Sequence, residues 1–166
     1  VSLVITVDCG MASMSEALRA RDLGIDVVVT DHHVVQSDLP QAVAIINPKR
    51  PESTYPFRDL AGVGVAFKLL AALLQGTGKD STLEDMLELV ALGTIADMSP
   101  LVEENRYLVR RGLDGLNATS RPGLVGMLRQ CVLEPGSVSA ESVAWTLAPR
   151  LNAAGRLEHA RIGYAL

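Results

Sequence analysis

Four residues near the start of the chain could do chemistry together: Asp8 and the triplet Asp31-His32-His33. Each closes a short apolar run. Leu3-Val4-Ile5-Thr6-Val7 ends at Asp8-Cys9-Gly10, and Ile25-Asp26-Val27-Val28-Val29 ends at Thr30-Asp31. Such runs read as buried strands, and in an open α/β sheet ligands gather outside the carboxyl ends of parallel strands. If the two strands are neighbours, both acidic ends and two imidazoles converge on one edge. Carboxylate with imidazole is the donor set of a hydrolytic divalent-metal site. The two histidines cannot both face the core, because consecutive side chains of a strand point opposite ways. One can ligate through a ring nitrogen while the other donates to a phosphoryl oxygen or supports the first. Asp31 can orient an imidazole by accepting its N–H.

The elements that must position these residues are legible nearby. Ser13-Met14-Ser15-Glu16 has the pattern of a capping box, and a helix to about Leu23 should close at Gly24. Residues 3–30 then form a strand–helix–strand unit with short loops, the signature of a parallel crossover. Ala42 to Ile46 is a third apolar run, ended by Asn47-Pro48, and residues 47–60 are loop-like with Pro48, Pro51 and Pro56. A helix should open at Gly62, with an apolar face including Val65, Phe67 and Leu73, and end at Gly76 and Gly78. Ser81-Thr82-Leu83-Glu84 reads as a second capping box, for a helix running toward Ile95-Ala96-Asp97. Beyond Pro100 only helices are expected, over about 103–116, 122–132 (Pro122 suits a first turn) and 139–148, with a last one from near Leu157. The expected class is α/β: a mainly parallel sheet flanked by helices, followed by a helical segment. The division into an α/β part and a helical part falls near residue 100.

Composition narrows the class further. The chain has 166 residues, 48% hydrophobic but only 4% aromatic, so its core must be aliphatic. No apolar stretch reaches the roughly 18 residues of a membrane-spanning helix. Cys9 and Cys131 are far apart and in no metal-like spacing. These features suit a cytoplasmic protein with Cys9 a small buried residue at a strand end. Trp145 and Tyr164 read as packing residues, since too few aromatics exist for a stacked single-strand track. The net charge of -4 conceals an asymmetry: residues 1–104 carry 7 basic and 15 acidic side chains, and residues 105–166 carry 8 basic, all Arg, and 4 acidic. That balance fits an acidic metal site beside a phosphate-binding surface and fits a solvated helical face equally. The chain opens at Val1 almost inside a strand and stops at Leu166 inside an amphipathic pattern, which gives the expectation of a piece of a longer protein.

Three further segments are ambiguous by spacing. Asp97, between an apolar helix and Ser99-Pro100, reads by itself as a turn former. Gly62-Val63-Gly64 suits tight helix packing as well as anion binding at a helix N-terminus. Pro149-Arg150-Leu151-Asn152-Ala153-Ala154-Gly155-Arg156-Leu157 combines phosphate-gripping arginines with small residues that allow close approach, or forms an interhelical loop.

Taken together, these segments resemble the DHH phosphoesterase superfamily, named for the triplet at Asp31-His32-His33. Within it they are similar to the RecJ-like single-stranded-DNA exonucleases. The closer resemblance is carried by Val7-Asp8-Cys9-Gly10, by Asn47-Pro48-Lys49-Arg50 through Tyr55-Pro56-Phe57 to Leu60-Ala61-Gly62-Val63-Gly64-Val65-Ala66-Phe67-Lys68, by Gly93-Thr94-Ile95-Ala96-Asp97, and by the segment 149–157. It covers nearly the whole chain. It implies metal-dependent phosphodiester hydrolysis, 5′→3′ on single-stranded DNA, in recombination and repair. It also implies a two-metal site with Mn²⁺ or Mg²⁺. Asp8 would bridge the metals, His32 and Asp97 would hold one of them, His33 would contact the scissile phosphate, and Asp31 would support the histidines. Arg150, Asn152 and Arg156 would lie near DNA phosphates.

The family's first motif, an Asp-x-Asp-Gly at an earlier strand end, is not in the sequence, and neither is a downstream DHHA1 domain. The chain is therefore expected to be a central part of the catalytic domain with an incomplete metal pair, inactive alone. Two alternatives stand beside this reading. One is a phosphodiesterase of short oligonucleotides or cyclic dinucleotides. The other is a non-catalytic scaffold of the same fold, which would be expected to lose the ligands that Asp8, His32, His33 and Asp97 retain.

Overall fold

A computed structural model describes residues 1–35, 38–134, 136–157 and 161–164. The chain forms two compact units, residues 1–78 and residues 79–166. The helix of residues 80–96, expected on the α/β side, falls in the second.

The first unit is a parallel three-stranded sheet with helices. The strands are β1 (Leu3–Val7), β2 (Asp26–Thr30) and β3 (Ala44–Ile46), in spatial order β1-β2-β3. Helix α1 (Met14–Asp22) makes the crossover from β1 to β2, and α2 (Gly62–Leu74) follows β3. The register pairs Val7 with Thr30 and Thr30 with Ile46. Two hydrogen bonds carry the ladder one residue further: Asp8 N–H donates to Thr30 O at 3.0 Å, and Asp31 N–H donates to Ile46 O at 3.0 Å. This extension brings the strand-end acids Asp8 and Asp31 side by side. The apolar core of the unit centres on Met11, Val27 and Val29. Strand β1 contributes little to it, because Leu3, Val4, Ile5 and Val7 are exposed.

Local signals hold in type and less well in detail. Gly24, at φ 69°, closes α1 as expected. Ser13 is the N-cap of α1 but makes no side-chain capping bond; Ser15 Oγ instead donates to Glu16 at 2.9 Å. The second capping box is also absent, because the helix begins at Asp80 and takes Ser81 inside. Leu73, expected on the apolar face of α2, is exposed, and that helix buries Gly62, Gly64 and Val65. Cys9 is exposed rather than buried, since it follows the left-handed Asp8 in a turn at the sheet edge.

The second unit is helical: α3 (Asp80–Ala96), α4 (Glu103–Asn117), α5 (Pro122–Gln130), α6 (Ala140–Ser142), α7 (Ala148–Leu157) and α8 (Arg161–Tyr164). A core of Ala91, Ile95, Val109, Leu116, Val143 and Leu147 with their neighbours holds it together. Helices α3 and α4 pack closely at Gly112, where an added Cβ would meet the Leu87 carbonyl oxygen and lie 2.5 Å from Ala91 Cβ. The helix expected over 139–148 does not stop at Pro149. A π-turn, Val143–Leu147, joins α6 to α7. Proline has no N–H for the i−4 carbonyl, and its ring crowds that carbonyl. Widening the helix by one residue relieves both, and Ala148 N–H donates to Val143 O. Trp145 sits on this turn 79% exposed, and Tyr164 is exposed as well, so neither is a core residue. Among the described residues, no helix is long and apolar enough to cross a membrane.

Candidate metal centre

The geometry begins at the end of β1. Asp8 has φ 65°, a left-handed conformation that turns the chain sharply off the sheet. Asn and Asp tolerate it better than most residues. Gly10, at φ 118°, continues the turn, and a Cβ there would come within 2.8 Å of Thr6 Oγ1. Thr6 Oγ1 donates to Cys9 O at 2.7 Å and fixes the same loop. The loop returns Met11 N–H to Asp31 Oδ2 at 3.0 Å.

Asp31 is the buried anchor. Its Oδ1 accepts from His32 N–H at 2.7 Å, from His33 N–H at 3.1 Å and from His33 Nδ1 at 2.7 Å. Burial pushes the Asp31 carboxyl up. The hydrogen bonds from Met11 N–H, the His33 ring and the His33 and His32 N–H groups outweigh it and hold the carboxyl below its ordinary value. An ionised carboxylate only accepts, so His33 Nδ1 carries the proton. Behind the triplet, Thr30 Oγ1 donates to Thr6 O at 2.6 Å and locks β2 to β1.

The two imidazoles, just past the end of β2, differ in exposure. The His32 side chain is 9% exposed and His33 63%. Their ring centroids are 4.6 Å apart, with planes inclined by 60°. His32 Nε2 lies 3.0 Å from Asp8 Oδ1. Asp8, His32 and His33 each offer a ligand atom, all within 4.8 Å of one another. One carboxylate and two imidazoles at that spacing fit a divalent ion such as manganese, and the Asp31–His33 pair supplies the carboxylate behind a histidine that such sites use.

Two residues that position this cluster, Gly62 and Asn47, are not among the candidate site residues. Gly62, the first residue of α2, lies under Asp8: a Cβ there would run into Oδ1 and sit 2.7 Å from Asp8 Cβ. The first turn of α2, where backbone N–H groups are unpaired, therefore faces a carboxylate, a favourable pairing with the helix dipole. The available signal is a glycine opening a helix whose N-cap, Ala61, has no capping side chain. Asn47 is buried at the end of β3, donates from Nδ2 to His33 O at 3.0 Å and accepts Lys49 N–H at 2.8 Å. It pins the triplet from the far strand; its signal is an Asn-Pro directly after an apolar run.

The other predicted residues belong to the second unit. Asp97 caps the C-terminus of α3, is exposed, and accepts Ser99 Oγ at 2.6 Å. Arg150 and Asn152 are exposed on α7, two positions apart and so on different faces. Arg150 donates to Thr146 O at 2.7 Å, next to the π-turn. The side chain of Arg156 lies outside the described residues.

A parallel sheet with a carboxylate–imidazole cluster at its strand ends defines a metal-binding α/β protein. Comparison with known proteins gives the family. The DHH family, N-terminal domain, matches residues 2–94, and the chain belongs to that family. The single-stranded-DNA-specific exonuclease RecJ of Bacillus subtilis (strain 168) is 48% identical over 159 residues, covering 96% of this chain and 20% of that protein. The crystal structure of exonuclease RecJ bound to manganese superposes with a TM-score of 0.81 at 36% identity, covering 98% of this chain and 40% of the other. The structure of RecJ in complex with Mg²⁺ from Thermus thermophilus gives 0.67 at 33% identity, covering 98% and 22%. The chain thus spans a fifth of the length of the Bacillus relative.

Proposed function

We propose that this chain is the metal-holding part of a phosphodiesterase that hydrolyses single-stranded DNA from its 5′ end, in recombination and repair in the cytoplasm. The observation that carries the reading is the convergence of Asp8, His32 and His33 at the ends of neighbouring parallel strands. The relatives' substrate supports the choice of polymer, and the ions bound by the solved neighbours support Mn²⁺ or Mg²⁺.

In this reading Asp8, His32 and Asp97 hold the metal. A bound ion would make a coordinated water more acidic and stabilise charge on phosphoryl oxygens. Asp31 fixes the His33 ring through Nδ1, so His33 meets the scissile phosphate through Nε2, as donor when doubly protonated. Arg150, Asn152 and Arg156 engage neighbouring phosphates. Imidazole ligands favour Mn²⁺ over Mg²⁺, which prefers an all-oxygen shell. Among the described residues the cluster offers three ligand atoms, enough for one ion and not for a two-ion clamp, and in this reading the 166 residues alone bind metal without turnover.

The test uses the product of the longest open reading frame that encodes this chain. It is given Mn²⁺ with 5′-phosphorylated single-stranded DNA, beside a dinucleotide control. Stepwise mononucleotide release from the 5′ end, lost in Asp8→Asn, is expected. Cleavage of the dinucleotide alone would move the substrate to short oligonucleotides. No hydrolysis of either by folded, metal-bound protein would overturn the enzymatic reading.

A further inference from the structure

A cavity of about 500 Å³ opens beside the carboxyl end of β3. Its size lies within the range of small-molecule pockets, about 300–1,000 Å³. Ile45 and Ile46 form one wall, the loop 47–56 another, and Val65 and Lys68 of α2 a third. It is a built site. Arg50 donates to Ile45 O at 2.9 Å, and Arg58 braces the loop from outside, donating to Pro48 O at 3.2 Å and to Arg50 O at 2.7 Å. Arg50 Nε is buried without a hydrogen-bond acceptor among the described residues, 3.5 Å from Glu52 Oε2.

The lining is chemically mixed in a particular way. Arg50 and Lys68 supply positive charge, Glu52 supplies a carboxylate that pairs with Arg50, Ser53 and Thr54 supply hydroxyls, and Tyr55 supplies an aromatic face over which Lys68 Nζ sits 5.9 Å from the ring centroid. Four of the six Lys and Arg residues in 1–78 fall between positions 49 and 68, in a unit that is otherwise acidic. Two cations and a flat aromatic surface lining one cavity suit a ligand with a phosphate and a planar ring. Asn47 also lines the cavity, and its side chain donates to His33 O at 3.0 Å, so one residue joins the pocket wall to the metal loop.

We propose that this pocket holds one nucleotide unit, its phosphate on Arg50 and Lys68 and its base against Tyr55, seating a strand beside the metal centre. That the nucleotide belongs to a DNA strand rests on the function proposed above. The pocket's affinity for a nucleotide does not.

The test titrates 5′-dAMP into the 166-residue chain in EDTA, so that no metal contributes, and follows backbone amide shifts. Saturable shifts confined to residues 47–56 and the start of α2 are expected. Lys68→Gln and Tyr55→Leu should each weaken binding at least fivefold, and adenosine and inorganic phosphate should each bind at least tenfold more weakly than 5′-dAMP. Absence of saturable shifts, equal binding by both folded variants, or phosphate binding as well as 5′-dAMP would each overturn the assignment. Nucleotide binding here with no hydrolysis by the longer protein would refute the nuclease and leave the pocket standing. Hydrolysis without nucleotide binding would do the reverse.

Discussion

Buried polar and buried aliphatic side chains are divided unequally between residues 1–78 and 79–166. In the first unit Thr30, Asp31, His32 and Asn47 are buried within one short stretch of strand ends, while the large apolar side chains of β1 are exposed. In the second the interior is aliphatic, and its buried polar residues act as staples: Glu88 pairs with Arg121, and Asn105 donates to Pro100 O at 3.0 Å. One unit fixes positions by hydrogen bonds, which are directional and local, and the other by packing, which is neither. A site that must hold three ligand atoms within a few ångströms is better served by the first.

The contrast is tested most severely by truncation. Leu116→Ala removes a side chain buried in the helical core and should cost about 2–5 kcal/mol. Ile5→Ala, on the exposed face of β1, should cost about 1 kcal/mol or less. Urea midpoints of both variants measure this; equal losses would mean that β1 is buried in the working protein.

Two glycines separate the units by kind of damage. Gly112→Ala places a Cβ against the Leu87 carbonyl, which cannot yield without parting α3 from α4. It should destabilise by about 1–3 kcal/mol. Gly62→Ala places a Cβ against the Asp8 carboxylate and 2.7 Å from Asp8 Cβ, so the strand-end turn that carries this ligand must shift. Its main cost should be Mn²⁺ affinity, lower by about 10–100-fold in calorimetric titration. A Gly62→Ala protein with unaltered affinity would remove Asp8 from the metal site.

How much of this was legible in the sequence follows the same division. The strand ends could be read because an apolar run that stops at an acid is a local pattern, and parallel pairing of such runs then brings Asp8 and Asp31 together. The triplet gave the DHH family, whose match covers residues 2–94. Gly62 and Asn47, singled out for other reasons, were not tied to the site because their partners, Asp8 and His33, are distant in sequence, and nothing about a glycine or an asparagine names its neighbour. The helix ends were misjudged because Ser13 and Ser81 have the composition of caps without their geometry. The passage through Pro149 was missed because a π-turn has no composition signature.

Asp31 sharpens the comparison from inside the site. Asp31→Asn keeps the shape but loses the charge that four hydrogen bonds converge on, one of them from the His33 ring. Bonds to a charged group are worth about 1.5–3 kcal/mol each at most, and they share one carboxylate, so a total loss of about 2–3 kcal/mol is expected. Turnover by the longer protein should fall about 10–100-fold as His33, the residue assigned to the scissile phosphate, loses its support. Unchanged turnover in a folded variant would leave His33 oriented by something else.

The smallest effect is a pH dependence. Because its hydrogen bonds hold Asp31 below the ordinary value of 3.8, the unfolded chain takes up this proton first as pH falls. The stability supplied by Asp31 is therefore complete well above that value and drains away as pH drops through it toward the lower folded value. Metal-free protein should lose stability across this window more steeply than the Asp31→Asn variant, which has no proton to bind there. Urea midpoints taken from about pH 5 to about pH 2 give the two slopes. Parallel slopes would mean that other carboxylates govern the acid limb, and that the packed helices, rather than the hydrogen-bonded strand ends, decide where the chain unfolds.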